Sequence, residues 1–239
     1  MLNIKNSFQK SPNIVHPIRK KFCYTQIMED IKLVCFDMDD TLVQQNSWYT
    51  LNIGLGVTTL QDREMYEAYG AGTLNYTDWL KKLFSIYQMN GANQESIEKI
   101  LSEYVLADGA RELVSYLKDK GYELAIISGS IDTLVDAVAN ELQIGLRKGN
   151  THFSYDDSGN LCDIQSEGEE VHAKLRHLSA FCNQLGIKLT QCVCIGDGAN
   201  DIELFKATGK GVTFTSAPEK VQKEAWKIVK SFREIEGIL

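Results

Sequence analysis

Four short apolar runs punctuate the chain: Ile31–Phe36, Glu123–Ile127, Cys192–Ile195 and Val212–Phe214. None alternates polar with apolar positions along its length, the mark of a parallel strand buried on both faces. Elsewhere the apolar period lengthens to three or four. Arg111–Lys120 sets Leu113, Val114 and Leu117 on one face and stops at Gly121. Ile131–Leu142 repeats Leu134, Val135, Val138 and Leu142, and His172–Leu185 ends before Gly186. Such helices have one face to bury, and glycine just past the end accepts the backbone that closes the last turn. Strands alternating with such helices predict an α/β fold with a doubly wound parallel sheet. Ligands of these sheets gather beyond the C-terminal strand ends.

Two stretches break the alternation. Residues 44–104 carry helical patterns, notably Leu60–Tyr69 and Tyr76–Tyr87, and no strand signal of comparable strength. They predict a small helical cap domain inserted after the first strand, leaving 29–43 and 105–239 as the core domain. Thr151–Gln165 reads as a β-hairpin insert turning at Asp157–Asn160.

Composition narrows the class. The 239 residues are 44% hydrophobic and 24% charged, which excludes a disordered or fibrous chain. No apolar run approaches the roughly 20 residues of a membrane span, so no membrane partner is expected. The net charge of −7 comes from 25 Lys and Arg against 32 acids and argues against a nucleic-acid surface. Residues 1–28 hold five of the bases, no acid, and two of the three prolines. Two readings stay open for this basic head: a targeting sequence, or a poorly ordered tail with Met28 as the true beginning. The six cysteines form no C-x-x-C pair and no zinc spacing, which suits a reducing, cytoplasmic setting without structural disulfides. His16, His152, His172 and His177 show no metal spacing either, and the acidic stretch Glu167–Glu170 reads as the solvated start of a helix.

The chemistry sits where the strands end. The first run delivers Asp37-Met-Asp39-Asp40-Thr41. Alternation puts Asp37 and Asp39 on one side, and paired carboxylates call for a shared proton or a hard cation such as Mg²⁺. Ser128-Gly129-Ser130 follows the second run and opens a helix, a ready phosphate site. The third delivers Gly196-Asp197-Gly198-Ala199-Asn200-Asp201, with carboxylates for a metal and glycines for close approach. Lys174, 23 residues earlier, offers a point charge for a phosphate oxygen.

This set resembles the haloacid dehalogenase (HAD) superfamily, whose signature is D-x-D-x-T, then Ser or Thr, then Lys, then G-D-x-x-x-D. The G-D-G-A-N-D run, the S-G after the second strand and the helical cap point to its phosphoserine phosphatase-like branch, over residues 31 to about 239. The resemblance implies a Rossmann-like fold and a Mg²⁺-dependent phosphomonoesterase acting on a small phosphorylated metabolite. Asp37 would be the nucleophile that becomes an aspartyl-phosphate, and Asp39 the general acid and base. Mg²⁺ would be held by Asp37, the Asp39 carbonyl and Asp197, with Asp201 behind them. Ser128, Gly129 and Lys174 would bind phosphoryl oxygens, and Asn200 would order the same network.

Two departures bear on the substrate. Asn46 stands where that branch has a substrate-reading Glu, and Leu83 at about the position of its cap Arg; the branch's S-G-G is S-G-S here, with Ser130. The nearest cap cations are Lys81, Lys82 and Arg63, and Lys does not reproduce the guanidinium fork. Asn46 and Trp48 are the candidate pocket residues, Trp48 and Tyr49 as a flat platform for a ring or as junction packing. Phosphoserine, a nucleotide, a sugar phosphate and a head-group phosphate all stay open as substrates. So do a phosphomutase and, from another class, a non-catalytic HAD binding module. Oligomeric state leaves no trace in the sequence.

Overall fold

Apolar runs without polar alternation need cover on both faces, and the helices supply it. The computed structural model describes residues 31–239, so the basic head of residues 1–28 lies outside the described residues. The strands are β1 Leu33–Phe36, β2 Glu123–Ile127, β3 Leu146–Lys148, β4 Thr151–Tyr155, β5 Leu161–Ser166, β6 Cys192–Ile195, β7 Gly211–Phe214 and β8 Lys227–Val229. Six of them form one parallel sheet in the order β3-β2-β1-β6-β7-β8, and β4-β5 is a separate antiparallel hairpin.

The four predicted runs are β1, β2, β6 and β7. The two edge strands, β3 and β8, match no predicted run. Each has three residues, carries Arg or Lys, and is partly exposed, so neither shows an apolar run. Strand order reverses between β1 and β6, the switch point at which sheets of this kind open a crevice.

Helices α1 Ser47–Gly54, α2 Thr59–Gly70, α3 Tyr76–Met89 and α4 Gln94–Ser102 form the insert. Helices α5 Ala110–Asp119, α6 Asp132–Leu142, α7 Glu170–Leu185, α8 Ile202–Thr208, α9 Glu219–Gln222 and α10 Phe232–Glu236 belong to the sheet. Alternation along β1 divides the core. Leu33 and Cys35 join Leu178 and Phe181 of α7 and Phe205 of α8. Val34 and Phe36 join Leu113 and Leu117 of α5, Val135 and Val138 of α6, and Phe232 of α10. Burying a side chain as fully as Phe36 contributes roughly 1.5–3 kcal/mol, so β1 is anchored from both sides.

The insert leaves and rejoins the sheet domain through paired linkers. Gln44 N–H donates to Val105 O at 2.9 Å, and Ala107 N–H donates to Leu42 O at 2.8 Å. The hairpin leans on the insert: Leu161 N–H donates to Ala92 O at 3.1 Å, and Phe153 lies 6.3 Å from the Trp48 ring. A bridge between Ile131 and Thr151 ties the same hairpin to the sheet domain. Its turn begins one residue earlier than its sequence suggests, because Asp156 Oδ1 accepts from both Ser158 N–H and Asn160 N–H. No helix among the described residues is long and apolar enough to cross a membrane.

Candidate active site

The β1 end is pinned to its neighbour, with Asp37 N–H donating to Ile195 O at 2.8 Å. That bond aims the Asp37 carboxyl, 7% exposed, into the crevice beside the β6 end. There Lys174, from the first half of α7, lies 2.8 Å from Asp37 Oδ1 and 2.7 Å from Asp201 Oδ1. Lys174 and Asp201 are each 1% exposed. Asp201 Oδ2 also accepts from Gly198 N–H at 3.1 Å, and Asp197 Oδ1 accepts from Thr41 Oγ1 at 3.0 Å. Gly196 is required by this packing, since a Cβ there would collide with the Asp201 carboxylate.

Four of the predicted residues therefore share one cluster, and its charges do not balance. Carboxylate oxygens of Asp37, Asp197 and Asp201 lie within 4.8 Å of one another, and Lys174 is the cation between them. Burial, followed by the charge of Asp201, pushes the Asp37 carboxyl well above its ordinary range. The same two causes lift Asp197 to about 6. Burial works against the charge on Lys174, but Asp201 and Asp37 outweigh it, so the ammonium is held more firmly than usual. Three oxygen-donor carboxylates against one ammonium suit a hard divalent cation.

The second predicted carboxylate, Asp39, meets the insert. Ser47 Oγ, at the first residue of α1, donates to Asp39 Oδ2 at 2.6 Å and lies 2.5 Å from Ser130 Oγ. Ser128 directly follows β2, and its Oγ accepts from Ser130 N–H at 3.1 Å. Gly129 O accepts from Trp48 Nε1 at 3.4 Å and from the Tyr76 hydroxyl at 3.3 Å. The Ser128–Ser130 turn is thus gripped from the insert side. Asn200 lies partly exposed in the Gly198–Asp201 turn.

The pocket residues are differently placed. Trp48 is 7% exposed with its ring edge-on to Trp79 at 4.7 Å, the arrangement of a junction packing residue. Asn46 is exposed and caps α1, its Oδ1 accepting from Tyr49 N–H at 3.0 Å, while its side chain also bonds Asp40. Leu83 is fully buried inside the insert.

Sequence reasoning missed Ser47, Tyr76 and Glu169. Glu169 is exposed, as expected of its acidic stretch, and it also meets the insert: its Oε1 accepts from Tyr76 N–H at 3.3 Å and its Oε2 from the Tyr69 hydroxyl at 3.2 Å. It ties the approach to α7, and so to Lys174, to the insert. Nothing local to Glu169 signals this, because its partners lie about a hundred residues away.

Residues 31–209 match the haloacid dehalogenase-like hydrolase family. A phosphoserine phosphatase of Methanocaldococcus jannaschii is 31% identical over 209 residues, covering 87% of this chain and 96% of the relative. A phosphoserine phosphatase of Streptococcus thermophilus is 29% identical over 192 residues, covering 80% and 87%. Two solved structures superimpose closely. A phospho-aspartyl intermediate analogue of phosphoserine phosphatase gives a TM-score of 0.74 at 28% identity, over 87% of this chain and 99% of that one. A substrate-bound phosphoserine phosphatase gives 0.75 at 28% identity, over 87% and 98%.

Proposed function

The chain belongs to the haloacid dehalogenase-like hydrolases and is a phosphatase, and we propose that the carboxylate cluster at the β1 and β6 ends is its active site, with residues 44–104 as the cap over it. The observation that carries this assignment is the buried Asp37 carboxylate, 2.8 Å from Lys174 Nζ and within reach of two further carboxylates.

An Asp37 oxygen attacks the substrate phosphorus while the bond to the leaving alcohol oxygen breaks, giving an aspartyl-phosphate. Asp39 delivers a proton to that departing oxygen. It then takes one from the water that cleaves the acyl phosphate, releasing inorganic phosphate and restoring Asp37. Lys174, Ser128 and the Gly129 backbone hold phosphoryl oxygens, where the transition state spreads its charge, and Asn200 orders the turn beside them. Asp37, Asp197 and the Asp39 carbonyl would hold Mg²⁺, with Asp201 behind them. The ion supplies positive charge that offsets nucleophile and phosphate.

The substrate is a phosphomonoester of a small alcohol without an ammonium-carboxylate pair. A free amino acid needs a bidentate cation for its carboxylate. Among the described cap residues, Arg63, Lys81, Lys82 and Lys99 are all exposed; Lys81 is paired with Asp78 and Arg63 with Glu67. Asn46 already serves as a helix cap. Phosphoserine is the second reading, favoured by the relatives that carry its name. A panel of phosphorylated metabolites separates the two. With Mg²⁺ present, uncharged alcohol phosphates are expected to match or exceed O-phosphoserine in kcat/KM, and chelator to abolish all turnover. A preference of about tenfold or more for O-phosphoserine, worth ~1.4 kcal/mol, would establish the second reading.

Metal binding also has a pH signature. Without metal, folded Asp197 keeps its proton to about pH 6, against about 3.9 for an unfolded Asp. The folded chain then binds more protons than the unfolded chain across that window. This group accordingly lowers metal-free stability as pH rises through it, and Asp37 acts in the same direction. Mg²⁺ is expected to raise the melting temperature more at about pH 7.5 than at about pH 5, where protons compete for the same oxygens. Equal gains at both pH values would place the ion elsewhere.

A further inference from the structure

We infer that Ser47, backed by Ser130, is a positioning residue that fixes the carboxylate of Asp39 in the orientation needed for proton transfer to the leaving alcohol. The inference rests on Asp39 being the general acid.

Ser47 is 2% exposed and Ser130 is 1% exposed, so their hydroxyls are shielded from bulk water. A hydroxyl carries one proton. Ser47 Oγ spends it on Asp39 Oδ2 at 2.6 Å, so at its 2.5 Å contact with Ser130 it must accept. The order of donation is therefore Ser130 to Ser47 to the carboxylate. Each hydroxyl in this chain has a reason to stay in place. Ser130 is fixed by its backbone: its N–H donates to Ser128 Oγ at 3.1 Å, and its carbonyl accepts from Asn150 N–H at 2.9 Å and Thr151 N–H at 3.2 Å. Ser47 begins α1 directly after the Asn46 cap, so its Cβ direction is set by the helix start.

Asp39 Oδ2 is thereby held against rotation about the Cβ–Cγ bond by Ser47 of the insert, which is itself held by Ser130 of the β2–α6 turn. An acid delivers its proton only from a narrow range of positions, and a side chain free to turn spends much of its time outside it. The pair also couples two events. Ser47 rides on the first helix of the insert, so seating the insert on the Ser128–Ser130 turn brings the aligning hydroxyl to Asp39. Ser47 makes the contact with Asp39 and Ser130 supports it, since Ser130→Gly would leave Ser47 its bond to Asp39 but without its own donor.

The experiment compares leaving groups in a single turnover with Mg²⁺ present. p-Nitrophenyl phosphate expels a stable phenolate and gains little from proton delivery, whereas glycerol 2-phosphate must release an alkoxide that needs the proton. In Ser47→Ala the ratio of the alcohol-release rate for glycerol phosphate to that for the aryl ester is expected to fall about tenfold or more, a fraction of the 10²–10⁴ that acid catalysis can supply. Ser47→Thr should restore most of the ratio, and Ser130→Gly should lower it less than Ser47→Ala does. A parallel fall on both substrates, or no fall, would overturn the inference. If Ser47→Ala fails to fold, Ser130→Gly carries the same comparison, with Ser47→Thr as the control that keeps the hydroxyl. Asp39→Asn distinguishes the layers. A collapsed ratio there with an unchanged ratio in Ser47→Ala removes only the positioning role, while an unchanged ratio in Asp39→Asn removes the underlying reading of Asp39.

Discussion

Asp37→Asn is expected to lower turnover by on the order of 10⁴-fold or more while leaving the protein folded, a loss of the size seen when a nucleophile is removed. The amide has nearly the volume of the carboxylate, so the β1 end keeps its shape, and the backbone bond from residue 37 to Ile195 O is untouched. The amide is a poor nucleophile toward phosphorus, and the two other carboxylates of the cluster are engaged elsewhere, Asp201 with Lys174 and Gly198 N–H and Asp197 with the Thr41 hydroxyl. Stability moves the other way. Burial and the charge of Asp201 already push the Asp37 carboxyl up, so a neutral residue there relieves repulsion around a buried site. Lys174 retains Asp201 at 2.7 Å as its partner. The metal-free variant should melt at or above the parent temperature, with activity measured on the same preparation. Turnover within tenfold of the parent in a folded, Mg²⁺-loaded sample would move the nucleophile to another residue.

The contrast between Asp37 and Ser47 shows what a sequence can carry. Asp37 and Ser128 each sit one residue beyond the end of an apolar run and Asp197 two residues beyond, so the sheet periodicity itself marks them. Lys174 is marked only by its company, since a lysine on a helix is ordinarily solvated. Its burial follows from how α7 packs against the β1 and β6 ends. Ser47 and Glu169 carry no mark at all: a serine in a first helical turn reads as cap chemistry, and a glutamate before a helix reads as dipole chemistry. Their roles exist only once the insert meets the sheet domain, through contacts such as Ser47 to Ser130 and Glu169 to Tyr76 that span 83 and 93 residues. The same distinction holds for the sheet. Central strands announce themselves because both faces are buried. The edges β3 and β8 have three residues each and one or two bases, so no apolar run marks them.

Lys174→Met is expected to cost stability as well as activity, and the stability loss should depend on metal and pH. Met fills a similar volume but brings no charge, leaving Asp37 and Asp201 buried without the ammonium that lies 2.8 and 2.7 Å from them. Removing one partner of a buried ion pair typically costs about 3–5 kcal/mol. At roughly 2–4 °C per kcal/mol for a chain of this size, the metal-free variant should melt about 6–20 °C below the parent near neutral pH. Two conditions should shrink that deficit. Lowering the pH protonates the stranded Asp37, whose folded-state affinity for protons is already raised and rises further once Lys174 is gone. Saturating Mg²⁺ supplies the missing positive charge, so the two melting temperatures should converge as the ion is added. Activity should not recover with them. Lys174 is assigned a phosphoryl oxygen as well as two carboxylates, and loss of one such contact typically lowers turnover by about 10²–10³-fold. Lys174→Arg is not expected to rescue either property, because the wider guanidinium does not fit a site in which lysine is only 1% exposed. Stability restored by Mg²⁺ with turnover still low would separate the two duties of this one ammonium. A metal-free Met variant that melts with the parent at neutral pH would mean that the cluster is held together by something other than Lys174.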